Sequence, residues 1–213
     1  MNDGKTYKII AIVALILGTI GVTIGYAAFS NTLTITSSAE VKPDPNTFNV
    51  DFSSSNSSVV ASAITPTLNK TATGFTATDA TIDNSNDPVI SNLKATFTAP
   101  GQSATYSFYS YNAGQYVAYL NSIVFTGNTV CTAKTGTTQS LVDSACNGIS
   151  LSVKVGSEAA TTASVASISN HTLAVDAAEE VVVTISYAEG SNVADGDFDV
   201  TLPTITLTYD SAD

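Results

Sequence analysis

The chain has 213 residues, a formal net charge of −11 and a sequence pI near 4.1. Its seven basic residues are all lysines, with no arginine, and there is a single histidine. So acidic a chain lacks the clustered cations that grip phosphate, which excludes nucleic acid and anionic membrane surfaces as partners. The apolar fraction of 44% is too high for a disordered chain.

Lys5 and Lys8 precede an uncharged apolar run over residues 9–24, and no further charge appears before Glu40. A positive start, an apolar stretch and the small residues Gly25, Ala27 and Ala28 are the parts of a secretory signal. Cleavage is expected at Ala27 or Ala28; after Ala27 it leaves small side chains at alternate positions, whereas after Ala28 it sets Tyr26 in a pocket that prefers a small one. The run is also nearly long enough to span a bilayer as an uncleaved helical anchor. Residues 1–27 are therefore read as signal peptide or membrane anchor. Both readings put the remainder at the cell surface or outside the cell.

Residues 28–45 follow as a possible strand and a proline-containing linker. Leu33 and Ile35 alternate with Thr32, Thr34 and Thr36, and Pro43 and Pro45 end the pattern. Residues 46–213 are expected to form one β-sandwich domain. Phe48, Val50 and Phe52 alternate with Asn49 and Asp51, and Leu93, Ala95 and Phe97 with Lys94 and Thr96. Residues 53–58 and 79–88 read as polar loops. The stretch 104–125 carries Tyr106, Phe108, Tyr109, Tyr111, Tyr116, Tyr119, Ile123 and Phe125, with Asn112, Ala113 and Gly114 in its middle. It predicts a central hairpin, buried on both faces for much of its length.

Cys131 and Cys146 are the two cysteines, and in an exported chain they are read as one disulfide across a surface loop. Ile149, Leu151, Val153 and Val155 predict a strand, as do Val181, Val183, Ile185 and Tyr187, and again Ile205, Leu207 and Tyr209. Between these, His171 is read as a solvated turn residue. Asp195, Asp197 and Asp199 alternate around Gly196 and are calcium candidates, although Val200 and Thr206 stand where an EF-hand needs Gly and Glu. Asp79, Asp83, Asn84, Asn86 and Asp87 are a second acidic cluster. Pro203 predicts a bend or edge. The fold expected is all-β: a two-sheet antiparallel sandwich, jelly-roll-like, preceded by one N-terminal apolar helix.

Tyr26-Ala27-Ala28-Phe29-Ser30-Asn31 resembles the signal-peptide boundary of the TasA/camelysin family. Ser91-Asn92-Leu93, then Ala99-Pro100-Gly101-Gln102-Ser103, then Tyr111-Asn112-Ala113-Gly114 resemble that family's PG turn, strand and N-x-G turn. The resemblance implies a secreted matrix protein that builds fibres by strand donation, with copies of itself as partners. The donor in this chain would be residues 29–41, carrying Phe29, Leu33, Ile35 and Val41. The same segment read locally is the domain's own first strand. The metallopeptidase label sometimes attached to camelysin-like proteins finds no HExxH pair here.

The expected function is thus an extracellular structural subunit of a biofilm-matrix filament or surface appendage, with no catalytic residues and no cofactor beyond the calcium candidates. The alternative is a membrane-anchored monomeric adhesin or ligand-binding domain, touching the membrane through its N-terminal helix alone. These differ at the mature N-terminus. Intact-mass analysis of the exported chain is expected to show a start at Ala28; a chain that retains Met1 supports the anchor.

Overall fold

The computed structural model describes residues 48–85 and 87–211. The apolar helix, the cleavage residues Ala27 and Ala28, and the strand with Phe29, Leu33, Ile35 and Val41 lie outside the described residues. In chain order the elements are β1 (Val50–Ser53), β2 (Thr67–Asn69), β3 (Thr76–Thr78), β4 (Thr81–Asp83), β5 (Val89–Ser91), β6 (Lys94–Thr96), β7 (Ser103–Asn112), β8 (Ala118–Thr126), β9 (Val130–Ala133), α1 (Gln139–Cys146), β10 (Ile149–Val155), β11 (Thr172–Leu173), β12 (Ala178–Tyr187), β13 (Phe198–Thr201) and β14 (Thr204–Ser211).

The largest sheet runs β1-β7-β12-β10, and β2 lies beside β7 as well. Every pairing is antiparallel, so side chains of matched parity form continuous rows on one face. Val181 sits opposite Phe108, Val183 opposite Tyr106 and Ile185 opposite Ala104. Across the other side of β12, Val155, Val153 and Leu151 match the same three residues. All of these are buried. The β-branched residues expected from the alternation therefore occupy one wall of the core, where their stiff side chains suit the pleat.

The second principal sheet runs β11-β8-β14. Its inward row brings Leu207 opposite Ile123 and Tyr209 opposite Leu120, with a bulge between Thr208 and Tyr209. Leu120 and Ile123 join the first sheet's wall in one cluster, against which Ile205, Leu207 and Tyr209 pack. The architecture is β-sandwich-like. Two short pairs, β3 with β6 and β4 with β5, add Ala77, Ala95, Ile82 and Ile90 to the same cluster.

Three expectations are corrected. First, β7 and β8 do not form a hairpin; they belong to different sheets. A tight hairpin turn needs residues at positive φ, and neither Asn112 nor Gly114 adopts one. Instead Asn112, fully buried, donates to Tyr116 O (2.8 Å) and Leu173 O (3.0 Å) and accepts from Gly114 N (3.0 Å), stitching the crossing from sheet to sheet. Burial on both faces is confined to the end of β7, at Ser110, Tyr111 and Asn112, whereas Ser107, Tyr119 and Val124 point outward and are exposed. Second, the segment between the cysteines is not a plain loop. It contains α1, which buries Val142 and Ala145. Third, residues 79–88 include β4, whose Ile82 is buried.

Other local signals hold. Gly101 in the Pro100-Gly101 turn sits at φ 88°, a conformation that favours glycine. Buried Gln102 closes that turn by accepting from Thr98 N (2.7 Å) and Ala99 N (3.1 Å) through Oε1. Pro203 lies between β13 and β14.

Tyr106 reaches from β7 through the core to the β3–β6 pair. Its hydroxyl accepts from Lys94 N (3.1 Å) and donates to Thr78 O or Lys94 O, each at 3.0 Å. A buried tyrosine needs such partners. Replacing it, Tyr106→Phe, removes the partner of Lys94 N and of the Thr78 and Lys94 carbonyls. Urea unfolding is expected to show a loss of about 1–3 kcal/mol with the fold retained.

Candidate functional site

A sheet edge exposes unpaired N–H and C=O groups, and proteins usually cover or guard such edges. In the largest sheet, the β10 edge is met by Thr161, which exchanges two backbone bonds with Val153 (2.9 and 2.8 Å). At the β1 edge, Phe52 O accepts from Asn84 Nδ2 (2.7 Å). β14 differs. It pairs with β8 along one side, and its other side has no backbone partner among the described residues. The strand carries no lysine and no proline, and its one charged residue is Asp210. Ile205 and Leu207 face the core yet remain only partly buried. The edge is therefore open both in hydrogen bonding and in apolar cover.

The end of the sandwich near the last residues of β14 is polar. β12 reaches it with Glu179, which shares the inward parity of Val181 and lies opposite Ser110 of β7. His171, immediately before β11, is 8% exposed. Its Nδ1 meets Glu158 Oε1 at 2.8 Å, and its Nε2 meets Glu179 Oε2. Tyr209 of β14 donates to the other Glu179 oxygen at 2.6 Å. Burial and the Glu179 charge push the Tyr209 hydroxyl well above its ordinary range, so it stays a protonated donor. Ser110 Oγ approaches Tyr209 from β7, fully buried, without completing a hydrogen bond of good geometry.

This overturns the reading of His171 as a solvated turn residue. The turn is real, but the imidazole enters the protein because two carboxylates receive it there. Glu158 and Glu179 lie on opposite ring nitrogens, so they do not converge on a common point as the ligands of one ion must. Among the described residues no group of three His, Cys, Asp or Glu side chains is placed to hold a metal. Two shallow surface depressions line residues 133–137 with 196–197, and residues 69–70 with 101–103 and 186–189; neither opens onto the His171 cluster.

The other candidates disperse. Asp195 accepts from Thr138 N (2.9 Å) and Thr138 Oγ1 (2.6 Å), and these bonds hold its carboxyl below the usual range. It thereby ties the start of α1 to the segment before β13. Asp199 pairs with Lys134 Nζ at 3.1 Å, across the β9–β13 pair. Asp197 contributes its backbone carbonyl, which accepts from Lys134 N and Thr137 Oγ1. The three aspartates thus act separately. In the second acidic cluster, Asp83 accepts from Ser85 and Asn84 bonds Phe52 O.

Cys131 of β9 and Cys146 at the end of α1 are disulfide-bonded, with Cα atoms 6.0 Å apart. Comparison of the chain with protein-family models, with curated proteins and with solved structures finds no match.

Among the described residues, the unpaired side of β14 lies beside the buried hydrogen-bonded cluster of His171, Glu179 and Tyr209. The disulfide closes a loop spanning a sequence separation of 15. Reduction and alkylation are expected to lower the unfolding free energy by about 3 kcal/mol, read from denaturant curves of the two forms.

Proposed function

We propose that this protein is an exported structural subunit that assembles with copies of itself into an extracellular matrix fibre or surface appendage by β-strand addition. The finer fold that goes with this reading is a jelly roll, completed by a strand from a neighbouring copy. The acceptor is the free edge of β14, and the donor lies within residues 29–41.

One observation carries the reading. The open edge begins Thr204-Ile205-Thr206-Leu207-Thr208, and the candidate donor contains Thr32-Leu33-Thr34-Ile35-Thr36. Run antiparallel, the two segments pair Thr32 with Thr208, Leu33 with Leu207, Thr34 with Thr206, Ile35 with Ile205 and Thr36 with Thr204. Like residues face like, and both apolar side chains of the donor fall on the face that Ile205 and Leu207 share. Cross-strand threonine pairs and β-branched pairs each contribute up to about 1 kcal/mol. The added strand also satisfies the unpaired amides of the edge. Glu40 and the two prolines beyond it lie outside the matching pattern, so the charge stays off the ladder.

A donor segment and an acceptor edge drawn from different parts of one chain make a head-to-tail contact that propagates instead of closing. The acidity of the chain supports the same setting. Mutual repulsion keeps unassembled subunits apart, and the strand contact must outweigh it.

Thr34 and Thr206 are the central residues of the two segments and meet in either strand direction. Mixing a Thr34→Cys variant with a Thr206→Cys variant under mild oxidation is expected to give crosslinked pairs and higher species on a non-reducing gel. Filaments visible by electron microscopy are expected to vanish when residues 29–41 are deleted, with the sandwich still folded. Absence of a mixed crosslink, together with a strictly monomeric mature chain, would falsify the reading.

A further inference from the structure

The inward row of β12 should be apolar throughout, yet it ends in Glu179. A carboxylate on an inward row is costly unless it is paired and hydrogen-bonded. Here it is paired twice, to His171 and to Tyr209. The site is shaped for this. Gly156 sits at φ 51°, and a Cβ there would lie 2.5 Å from Glu179 Oε2 and 3.2 Å from His171 Cε1. Only a residue without a side chain lets the backbone pass so close. One connected set of side chains therefore joins the turn after β10 (Glu158), the segment before β11 (His171), β12 (Glu179) and β14 (Tyr209).

We propose that Glu158, His171, Glu179 and Tyr209 form a proton-operated clasp that holds the C-terminal half of β14 against the largest sheet, closed when His171 is a cation and loosened when it is neutral. The consequence for assembly rests on the strand-addition reading; the clasp itself does not.

The chemistry follows from the donor count. A cationic imidazole carries a hydrogen on both ring nitrogens and donates to both carboxylates at once. A neutral imidazole has one hydrogen. On losing the other proton to solvent, it turns a lone pair toward one carboxylate, and an attraction becomes a repulsion. Glu158 is about a third exposed and can turn to water, whereas Glu179 is about a tenth exposed and cannot. Opening therefore begins at Glu158, and the charge of Glu179 is left with weaker support where Tyr209 anchors β14. Among the described residues, no other charged side chain bonds the ring or either carboxylate.

Burial alone would press the His171 pKa down, but the bonds and charges of Glu158 and Glu179 outweigh it, so the net shift is upward from the ordinary 6.5. With the folded value above the unfolded one, the clasp contributes fully below about pH 6.5 and is lost as pH rises through the folded value.

The chain has one histidine, so its imidazole C–H signals report the switch without assignment. In the mature protein, that titration is expected to have a midpoint above the ordinary histidine value. Amide exchange of the unassembled subunit, corrected for intrinsic rates, is expected to show that those amides of residues 206–211 that bond β8 lose protection between about pH 6 and about pH 9 while residues 181–185 stay protected. In His171→Gln the difference between the two pH values should disappear. Should that variant not fold, Glu158→Gln tests the same point, because one carboxylate fewer moves the loss of protection to lower pH. Protection of β14 that is independent of pH in the wild type, or unmoved by Glu158→Gln, overturns the clasp. Sedimentation at both pH values separates the two ideas. No filaments at either pH, with β14 protection following the histidine, sinks strand addition and keeps the clasp. Filaments at both pH values, with β14 protection in the unassembled subunit constant, sink the clasp and keep strand addition.

Discussion

The structure depends on one constraint: each sheet must hide its apolar face, and the two larger sheets do so in one shared core. Val181, Val183 and Ile185 of β12 and Leu151, Val153 and Val155 of β10 make a wall with no polar atoms in its side chains. Leu120, Ile123, Ile205 and Leu207 supply the opposing surface. Burial of this kind is non-directional, so it fixes which faces meet without fixing how the sandwich ends. The ends are set by directional groups. Asn112 carries the chain between sheets at its backbone partners, and Tyr106 locks a small accessory pair to the core.

The same constraint leaves β14 at an open edge of its sheet. It covers the core from one side of its sheet and, among the described residues, has β8 as its one neighbouring strand. Its inward side chains gain partial burial, and its outer amides gain none within the described residues. A strand in that position has a hydrogen-bonding side and an apolar margin left over, and both are met by one extended segment of the right pattern. The polar cluster at the end of β14 adds a second property. It couples the seating of that strand to the charge of a single imidazole, so packing and proton binding act on the same element.

Much of this was legible in the sequence, for physical reasons that differ by region. The alternation in β10, β12 and β14 has a period of two over seven or more residues, and nothing but a half-buried strand produces it. The partnership of strands was not legible in the same way. Asn112-Ala113-Gly114 has a hairpin's composition, but backbone dihedrals, not composition, decide the turn, and here the chain crosses to the other sheet. The eight-residue helix α1 escaped because its two buried residues, Val142 and Ala145, are too few to display a helical period. His171 was misread because its partners, Glu158 and Glu179, are distant in sequence. A clue was present all the same. Glu179 continues the parity of Val181, Val183 and Ile185, and a carboxylate on an inward row calls for a cation opposite. The aspartates around Gly196 have a ligand-like spacing, but a strand turns alternate residues the same way without making their oxygens converge; Thr138 and Lys134 claim two of them.

The central claim is that this chain offers its neighbours backbone and not reactive groups, at the outer edge of β14. The most direct measurement is amide hydrogen exchange across residues 204–211, taken on unassembled mature protein and on its assembled material at one pH. The account predicts fast exchange of alternate amides along the strand in the free subunit and strong protection of those same amides in the assembly. Equal exchange in both states, with protection gained at some other edge, would contradict it.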